Sequence, residues 1–324
     1  MSALDAGEVA FSGLAQQRSR WLTIGRLMRD NPLAVFGVLV VVALAVCAVF
    51  APLIAPYGPT ELGVGPKNVD PSWKHLFGTE HLGRDMFSRV VYGARISLIV
   101  GFSAVIFGTV VGTMIGIFSG YSGGAIDGVI QRTVDTFIAF PALLILLILR
   151  QVLGPSVETL IVAVGLVIIF PVTRIIRGAV LSEKNNQYVE AARALGASTP
   201  RILFRHIAPN VAALAIIIAT TFLGAAILAE AALAFLGLGI PEGSDFSMLF
   251  FLSFVGLDTP GFLGFLEGPA VTWGKDVSVA RNSFPVHIWW AFFPGLAITL
   301  TVLGFNLLGD GLRDILDPRL RGRL

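Results

Sequence analysis

The sequence predicts an all-α, polytopic membrane protein with about six transmembrane helices. Three observations predict it. Of the 324 residues, 55% are hydrophobic and only 14% are charged, against about 25% charged in an ordinary soluble domain. Mean hydropathy is +0.81, an apolar excess too large for one water-soluble core. The apolar residues also gather into runs that supply the roughly 20 helical residues needed to cross a hydrocarbon layer of about 30 Å. Those runs are continuous, whereas a β-barrel would show alternating segments of about 10 residues.

Span 1 runs from Leu33 to Ala51, with Pro32 well placed at a helix start. Span 2 covers Ile96–Phe118, span 3 Val129–Leu149, and span 4 Leu160–Val180. Span 5 covers Val211–Phe235 and span 6 Ile288–Leu308. Six spans put both termini on one side. Fifteen of the 23 Lys and Arg residues then fall on that side, in the shorter connections, and this is the cytoplasmic signature. Residues 1–31 read as a cytoplasmic N-terminal segment, because they lack an early apolar core and a small-residue cleavage pattern. The transmembrane domain is expected over 32–309, with a cytoplasmic tail at 310–324. The single cysteine, Cys47, sits within span 1 and has no partner in the chain.

Two sizeable connections lie on the opposite side, Pro52–Arg95 and Leu236–His287, both punctuated by Pro and Gly. The second contains "FSMLFFLSFVGL" at Phe246–Leu257. It is too short to span comfortably and reads as a re-entrant or interfacial piece. In the first, Gly83–Arg95 alternates charge with apolar residues and reads either as a surface helix with one buried face or as the lining of an outer mouth.

Span 2 carries Ala104, Gly108, Gly112, Gly116 and Gly120 at every fourth position. Such a stripe lets another helix approach closely, and packing is what holds helices together in lipid. The approaching helix belongs either to this chain or to a second subunit.

One compact polar stretch stands out between spans 4 and 5: "EAARALGASTPRILFRHIAPN", Glu190–Asn210. Gln187–Leu195 favours helix. Gly196 fits the left-handed position that ends one. Thr199 suits an N-cap and Pro200 the first position of a second helix, whose apolar face is Ile202, Leu203, Phe204 and Ile207. Pro209 is expected to end that helix before span 5. Local chemistry alone allows two readings of this pair, an amphipathic connector on the membrane surface or a docking element.

The stretch resembles the EAA loop of ABC importer permeases, matching at Glu190, Ala191, Ala192, Gly196, Ile207, Pro209 and Asn210. Three further stretches, Phe77–Leu98, Ile227–Gly239 and Phe292–Arg319, resemble the C-type permease subunit of dipeptide, oligopeptide and nickel importers. The resemblance covers nearly everything from Asn31 to Arg319. One departure is a segment between Gly239 and Trp273 longer than the family pattern, in which Trp273 and Gly274 are identified as the family's Trp-Gly pair.

The resemblance implies a type I importer fold and a pore-forming subunit without catalysis of its own. It implies a loop, 182–210, whose helix seats in a groove of a cytoplasmic ATPase, with Glu190, Ala191, Ala192, Arg193, Gly196, Ala197, Ile207, Pro209 and Asn210 as coupling residues. It implies a second permease subunit in a heterodimer, two ATPase subunits that bind the ATP and Mg, an extracytoplasmic solute-binding protein, surrounding membrane lipid and no nucleic acid. It also implies residence in a prokaryotic inner membrane and peptides as the solute, with nickel or another small solute as the alternative.

Gly108, Gly112 and Gly116 are expected to pack helices. Glu230, near the outer end of span 5, is a candidate contact on the translocation path, because an ionisable group at membrane depth is a functional hypothesis by default. Its alternative is interhelical pairing. Arg174 and Arg177 at the inner end of span 4 are expected to snorkel towards lipid headgroups. Asp310, Arg313 and Asp314 suit a solvated helix end. The four histidines show no metal-ligand spacing. An ion-coupled transporter acting alone would carry several charges mid-span, and the span cores are nearly free of them. A membrane enzyme would need a motif such as HExxH or GxSxG, and none occurs. The only Gly-Lys pair, Gly274–Lys275, is followed by Asp276, so the chain has no phosphate loop.

Overall fold

A computed structural model describes residues 31–242, 245–246, 268–284 and 286–316. Helix α1 (Pro32–Val49) begins with Pro32 in its first turn and leads through a single turn, α2 (Ala51–Ile54), into an irregular segment. Helix α3 (Met86–Ser122) is 37 residues long. It is followed by α4 (Gly124–Ala139), α5 (Ala142–Leu153) and α6 (Val157–Glu183). The short helices α7 (Gln187–Ala194) and α8 (Thr199–Ile202) precede α9 (Ala208–Phe235). Helices α10 (Trp273–Ala280) and α11 (Trp289–Leu316) complete the described helical structure. Besides helix there is a minimal antiparallel pair, β1 (Asp245–Phe246) with β2 (Gly268–Pro269), Asp245 facing Pro269. It brackets 247–267, so the Phe246–Leu257 piece lies almost wholly outside the described residues.

Among the described residues, five stretches are long and apolar enough to cross a membrane, and six if α4 and α5 count as one. The expected third span is not one helix. Its two halves bend by 93°, because Phe140 precedes Pro141 and is held extended at ψ 141°. Span 2 also starts earlier than expected. Gly83–Arg95 is not a surface helix: Asp85 caps α3, accepting from the Ser88 amide at 2.8 Å, and Arg89 and Arg95 are buried. Nor does Pro209 end a helix. The chain runs helically from Thr199 to Phe235. Leu203–Ile207 widens into a π-turn in which the Ala208 amide reaches the Leu203 carbonyl. The wider turn accommodates a proline that lacks an N–H and would crowd the carbonyl four residues back. The cap of α8 is Ser198 rather than Thr199, with Pro200 in the first turn. Helix α11 continues through position 309 to Leu316, so no break separates span 6 from the segment carrying Asp310, Arg313 and Asp314.

The most extensive packing joins α3 to α6, which run parallel. A Cβ placed on Gly108, Gly112 or Gly116 would fall 2.7–2.8 Å from the carbonyl oxygens of Gly165, Ile169 and Thr173 respectively. Both series advance four residues at a time, so the small-residue stripe is filled by this chain's own α6. The Thr173 hydroxyl donates to the Gly112 carbonyl at 3.2 Å, an extra bond that so close an approach permits. Helix α11 packs between α1 and α9.

The two ends of the bundle differ. At one, which we call the network end, Arg89 donates to Asp276, to Glu242 at 2.8 Å and to the Pro59 carbonyl at 3.0 Å. Arg84 pairs with Glu80 and with Glu242 at 3.1 Å. Trp273 is buried and donates to the Val90 carbonyl at 2.8 Å. Arg150, also buried, gathers the carbonyls of Gly154, Ser156, Leu238 and Gly239 at 2.6–3.1 Å, joining the α5–α6 turn to the chain leaving α9. Burial pushes the Asp276 carboxyl above its ordinary value, and the Arg89 guanidinium opposes that. Burial also works against ionised Glu242, but Arg89 and Arg84 outweigh it and its pKa is lowered.

Candidate functional site

The opposite end carries the α7–α8 hairpin. Its first helix stops in two bonds: the Gly196 amide donates to the Arg193 carbonyl at 2.9 Å and the Ala197 amide to the Ala192 carbonyl at 3.0 Å. Together they form a Schellman closure, which needs a left-handed residue, and Gly196 supplies it at φ +79°. A side chain there would be strained although the surrounding space is open.

Three apolar residues plug the hairpin into the bundle. Val189, Ile202 and Ile207 are fully buried in the main core, and Ala192 and Ala197 pack against it. The opposite face is open. Glu190, Ala191, Arg193 and Pro209 are exposed, as are the neighbouring Leu195, Arg201, Phe204 and Arg205. Leu195 is 88% exposed at the tip and Phe204 77%. Glu190 sits in the first turn of α7 and Arg193 in its last, each at the helix end where its charge is favoured. The Arg193 guanidinium also lies 5.4 Å from the centre of the Tyr121 ring.

Asn210 braces the hairpin. Its amide donates to the Tyr188 hydroxyl at 2.8 Å, to Glu183 at 3.0 Å and to the His206 carbonyl at 2.8 Å, while Tyr188 also donates to Glu183. One side chain thereby ties the end of α6, the start of α7 and the π-turn together. Burial, and then the bond to Glu183, pushes the Tyr188 phenol up from its ordinary value. Sequence reasoning missed Tyr188, Glu183 and Leu195, and it put Phe204 on the apolar face with Ile202 and Ile207, whereas Phe204 is on the open side. An apolar residue directly before a helix-ending glycine was the available signal for Leu195.

Below the hairpin the framework is polar. Lys184 donates to the Gly120 carbonyl at 2.7 Å, closing the end of α3. Arg177 does not snorkel. It donates twice to Asp127 of α4, at 2.6 and 2.5 Å, and Asp127 also accepts from Ser119 at 2.6 Å. Arg174 pairs with Asp135. Among the sequence candidates, the coupling residues are brought together in the hairpin. Gly108, Gly112 and Gly116 lie along α3, against α6. Glu230 is far from both sets in sequence and is buried, 1% exposed, with Ser97 donating to it at 3.4 Å. Its side chain faces the interior of this chain. No group of three or more potential metal ligands occurs among the described residues.

Residues 112–322, which include the hairpin and helices α4, α5, α6 and α9, match the family described as binding-protein-dependent transport system inner membrane component. The chain belongs to that family. A second match, over residues 19–72, is to the N-terminal transmembrane domain of oligopeptide transport permease C. The chain is similar to a dipeptide transport system permease protein of Alkalihalophilus pseudofirmus, 37% identical over 94% of this chain and 91% of the relative. It is also similar to a glutathione transport system permease protein of Escherichia coli, 39% identical over 95% and 93%. An oligopeptide transport system permease protein of Bacillus subtilis is 36% identical over 94% and 91%. As an inner membrane component of a binding-protein-dependent system, the chain is a multi-pass transport subunit, and the family's role is passage rather than catalysis.

Proposed function

We propose that this chain is one of two membrane-spanning subunits of an ABC importer for short peptides, and that the α7–α8 hairpin is its coupling element. The carrying observation is the hairpin's construction: a plugged base, a fixed turn, a three-way brace and an open apolar tip. A lever that passes mechanical work must not flex, and one that is gripped must leave its gripping face free. Leu195 and Phe204 supply anchors of the kind that dominate small interfaces. Glu190 and Arg193 add charge-assisted contacts that fix orientation.

In this reading the hairpin end and both termini face the cytoplasm, supported by the concentration of Lys and Arg there. Two ATPase subunits hold the ATP and Mg, and a solute-binding protein delivers the solute at the network end. The second membrane subunit is a B-type permease, giving a heterodimer. The names of the relatives support peptides as the cargo. Closure of the ATPases around nucleotide draws the two hairpins together, and the spans answer by opening the path to one side and then the other.

Reconstitution tests this. Vesicles holding this chain, its partner permease and the ATPases should accumulate dipeptide only with ATP inside and binding protein outside. Omitting the ATPases should abolish uptake. Glu190→Lys and Gly196→Pro should assemble in the membrane, yet lose uptake and solute-stimulated ATP hydrolysis together. Full coupling in both variants would remove the lever role, and accumulation by this chain alone would remove the importer reading.

A further inference from the structure

Asp135 of α4 and Arg174 of α6 form an ion pair in which the side chains are 56% and 46% exposed. Arg174 lies within a helix long and apolar enough to cross a membrane, and Asp135 lies in the first half of the bent pair α4–α5, which is long and apolar enough only when taken together. Arg174 is nine residues before the end of α6, about 14 Å along it at 1.5 Å per residue. The pair is open to the outside of this chain, so it does not face the interior of this bundle. Facing lipid would be costly, and charges within membrane segments face protein or a water-filled cavity.

A second observation points the same way. The bend at Phe140–Pro141 lies close beyond Asp135, and both residues of the bend are exposed. Non-helical backbone at membrane depth is tolerated only where it is buried in protein or lines water. The side of α4 around Asp135 is polar as well. Arg132 and Thr136 share its face and are exposed. The Thr136 hydroxyl turns back onto the Arg132 carbonyl at 2.9 Å. A stacked pair, Phe137 on Phe170 with ring centres 4.2 Å apart, fixes the two helices beside the charges.

We propose that Asp135 and Arg174 line the water-filled solute path and form a subsite for a solute carrying both an ammonium and a carboxylate group. The two charges neutralise each other when the path is empty. They part to take the opposite charges of the solute, Asp135 the ammonium and Arg174 the carboxylate in the two-pronged geometry a guanidinium offers. An uncharged path wall would have to strip a zwitterion of water without replacement, whereas a neutral pair of opposite charges replaces it at both ends. The subsite rests on the importer reading and adds to it the residues that meet the cargo. It differs from the buried Glu230, whose side chain this chain covers.

Thiol labelling of the assembled complex tests it, in a Cys47→Ser background and in detergent so that both faces are reachable. Asp135→Cys should react with charged, water-soluble methanethiosulfonates. The anionic reagent should react about 5-fold faster than the cationic one, the factor expected from one nearby positive charge in a wet site. Arg174→Gln should weaken that preference to what exposed Arg132 on α4 supplies, and Arg174→Cys with Asp135 in place should reverse it. Dialanine should slow both reactions, and N-acetylalanine amide, which has neither charge, should not. A thiol silent in the native complex but reactive after unfolding in SDS would overturn the proposal. So would equal rates for the two reagents, or no protection by dialanine. Should Asp135→Cys not assemble, Thr136→Cys beside the intact pair should react with both reagents and be protected by dialanine, and a silent or unprotected thiol there would overturn the proposal. Absence of ATP-driven uptake by the unmodified complex would instead overturn the importer reading, and it is read on a separate preparation.

Discussion

The two ends of the bundle are built on opposite plans. At the network end, charge is buried: Arg89 is 1% exposed and joins α3, α10 and the segments at Pro59 and Glu242. On the hairpin itself, charge stays outside, and rigidity comes from a glycine turn, three buried apolar plugs and one asparagine. Buried ion networks penalise any rearrangement that separates their members, because a lone buried charge is costly. Exposed charges cost little to rearrange and remain available to a partner. One end therefore holds the helices in register, and the other presents a stiff surface for gripping. Stability and coupling should then be separable by mutation.

Arg89→Met is the strongest test of that separation. It leaves Asp276 and Glu242 without their shared cation and should cost about 3–5 kcal/mol, seen as a large fall in the melting temperature of the purified complex. Glu190→Lys should leave that temperature almost unchanged, because exposed substitutions stay within roughly 0.5 kcal/mol. Equal melting of Arg89→Met and the parent would erase the distinction between the ends. Gly112→Leu follows. It forces a side chain against the Ile169 carbonyl and Val172 and should cost about 1–3 kcal/mol by overpacking, a loss shared by both ends because α3 and α6 run through both. Asn210→Ala should cost about 1 kcal/mol and act locally. Amide exchange across 187–207 should quicken while that of 273–280 does not, and uniform quickening would refute a local brace.

The smallest effect concerns pH. Glu242 has a lowered pKa in the fold, so its contribution is present above the unfolded value near 4.5 and fades as the pH falls through the folded one. Glu242→Gln should therefore lose less stability than the parent on acidification below that range. Asp276 works in the opposite direction. Its carboxyl is raised by burial, so it favours the fold on the acid side and weakens it as the pH rises through its folded value. A gain in stability on acidification of the parent would show that the Asp276 site governs the profile.

The hairpin's position and turn were legible because they depend on neighbours in sequence. Gly196 before a polar cap and Pro200 just after it leave the chain few other local solutions, and Gly196 does adopt the left-handed conformation. The membrane class and the approximate spans were legible for a similar reason, since an apolar run long enough to cross lipid has few other places to go. The boundaries failed where a proline's effect depended on its surroundings. Pro141 bends its span by 93°, while Pro209 is absorbed by a π-turn and breaks nothing.

The sequence by itself determined that this chain lies in a membrane, roughly where its helices run and which compact polar stretch folds into a hairpin. These follow from hydropathy and short-range backbone preference, which act over a turn or two of chain. Only the tertiary structure decided which helix fills the glycine stripe, where Arg84 and Arg89 find their carboxylates, and that Glu230 is enclosed while Asp135 and Arg174 are open. Those partners are separated by up to 187 positions. The energy of a charge in or near lipid depends on what surrounds it in space, and linear order does not carry that information.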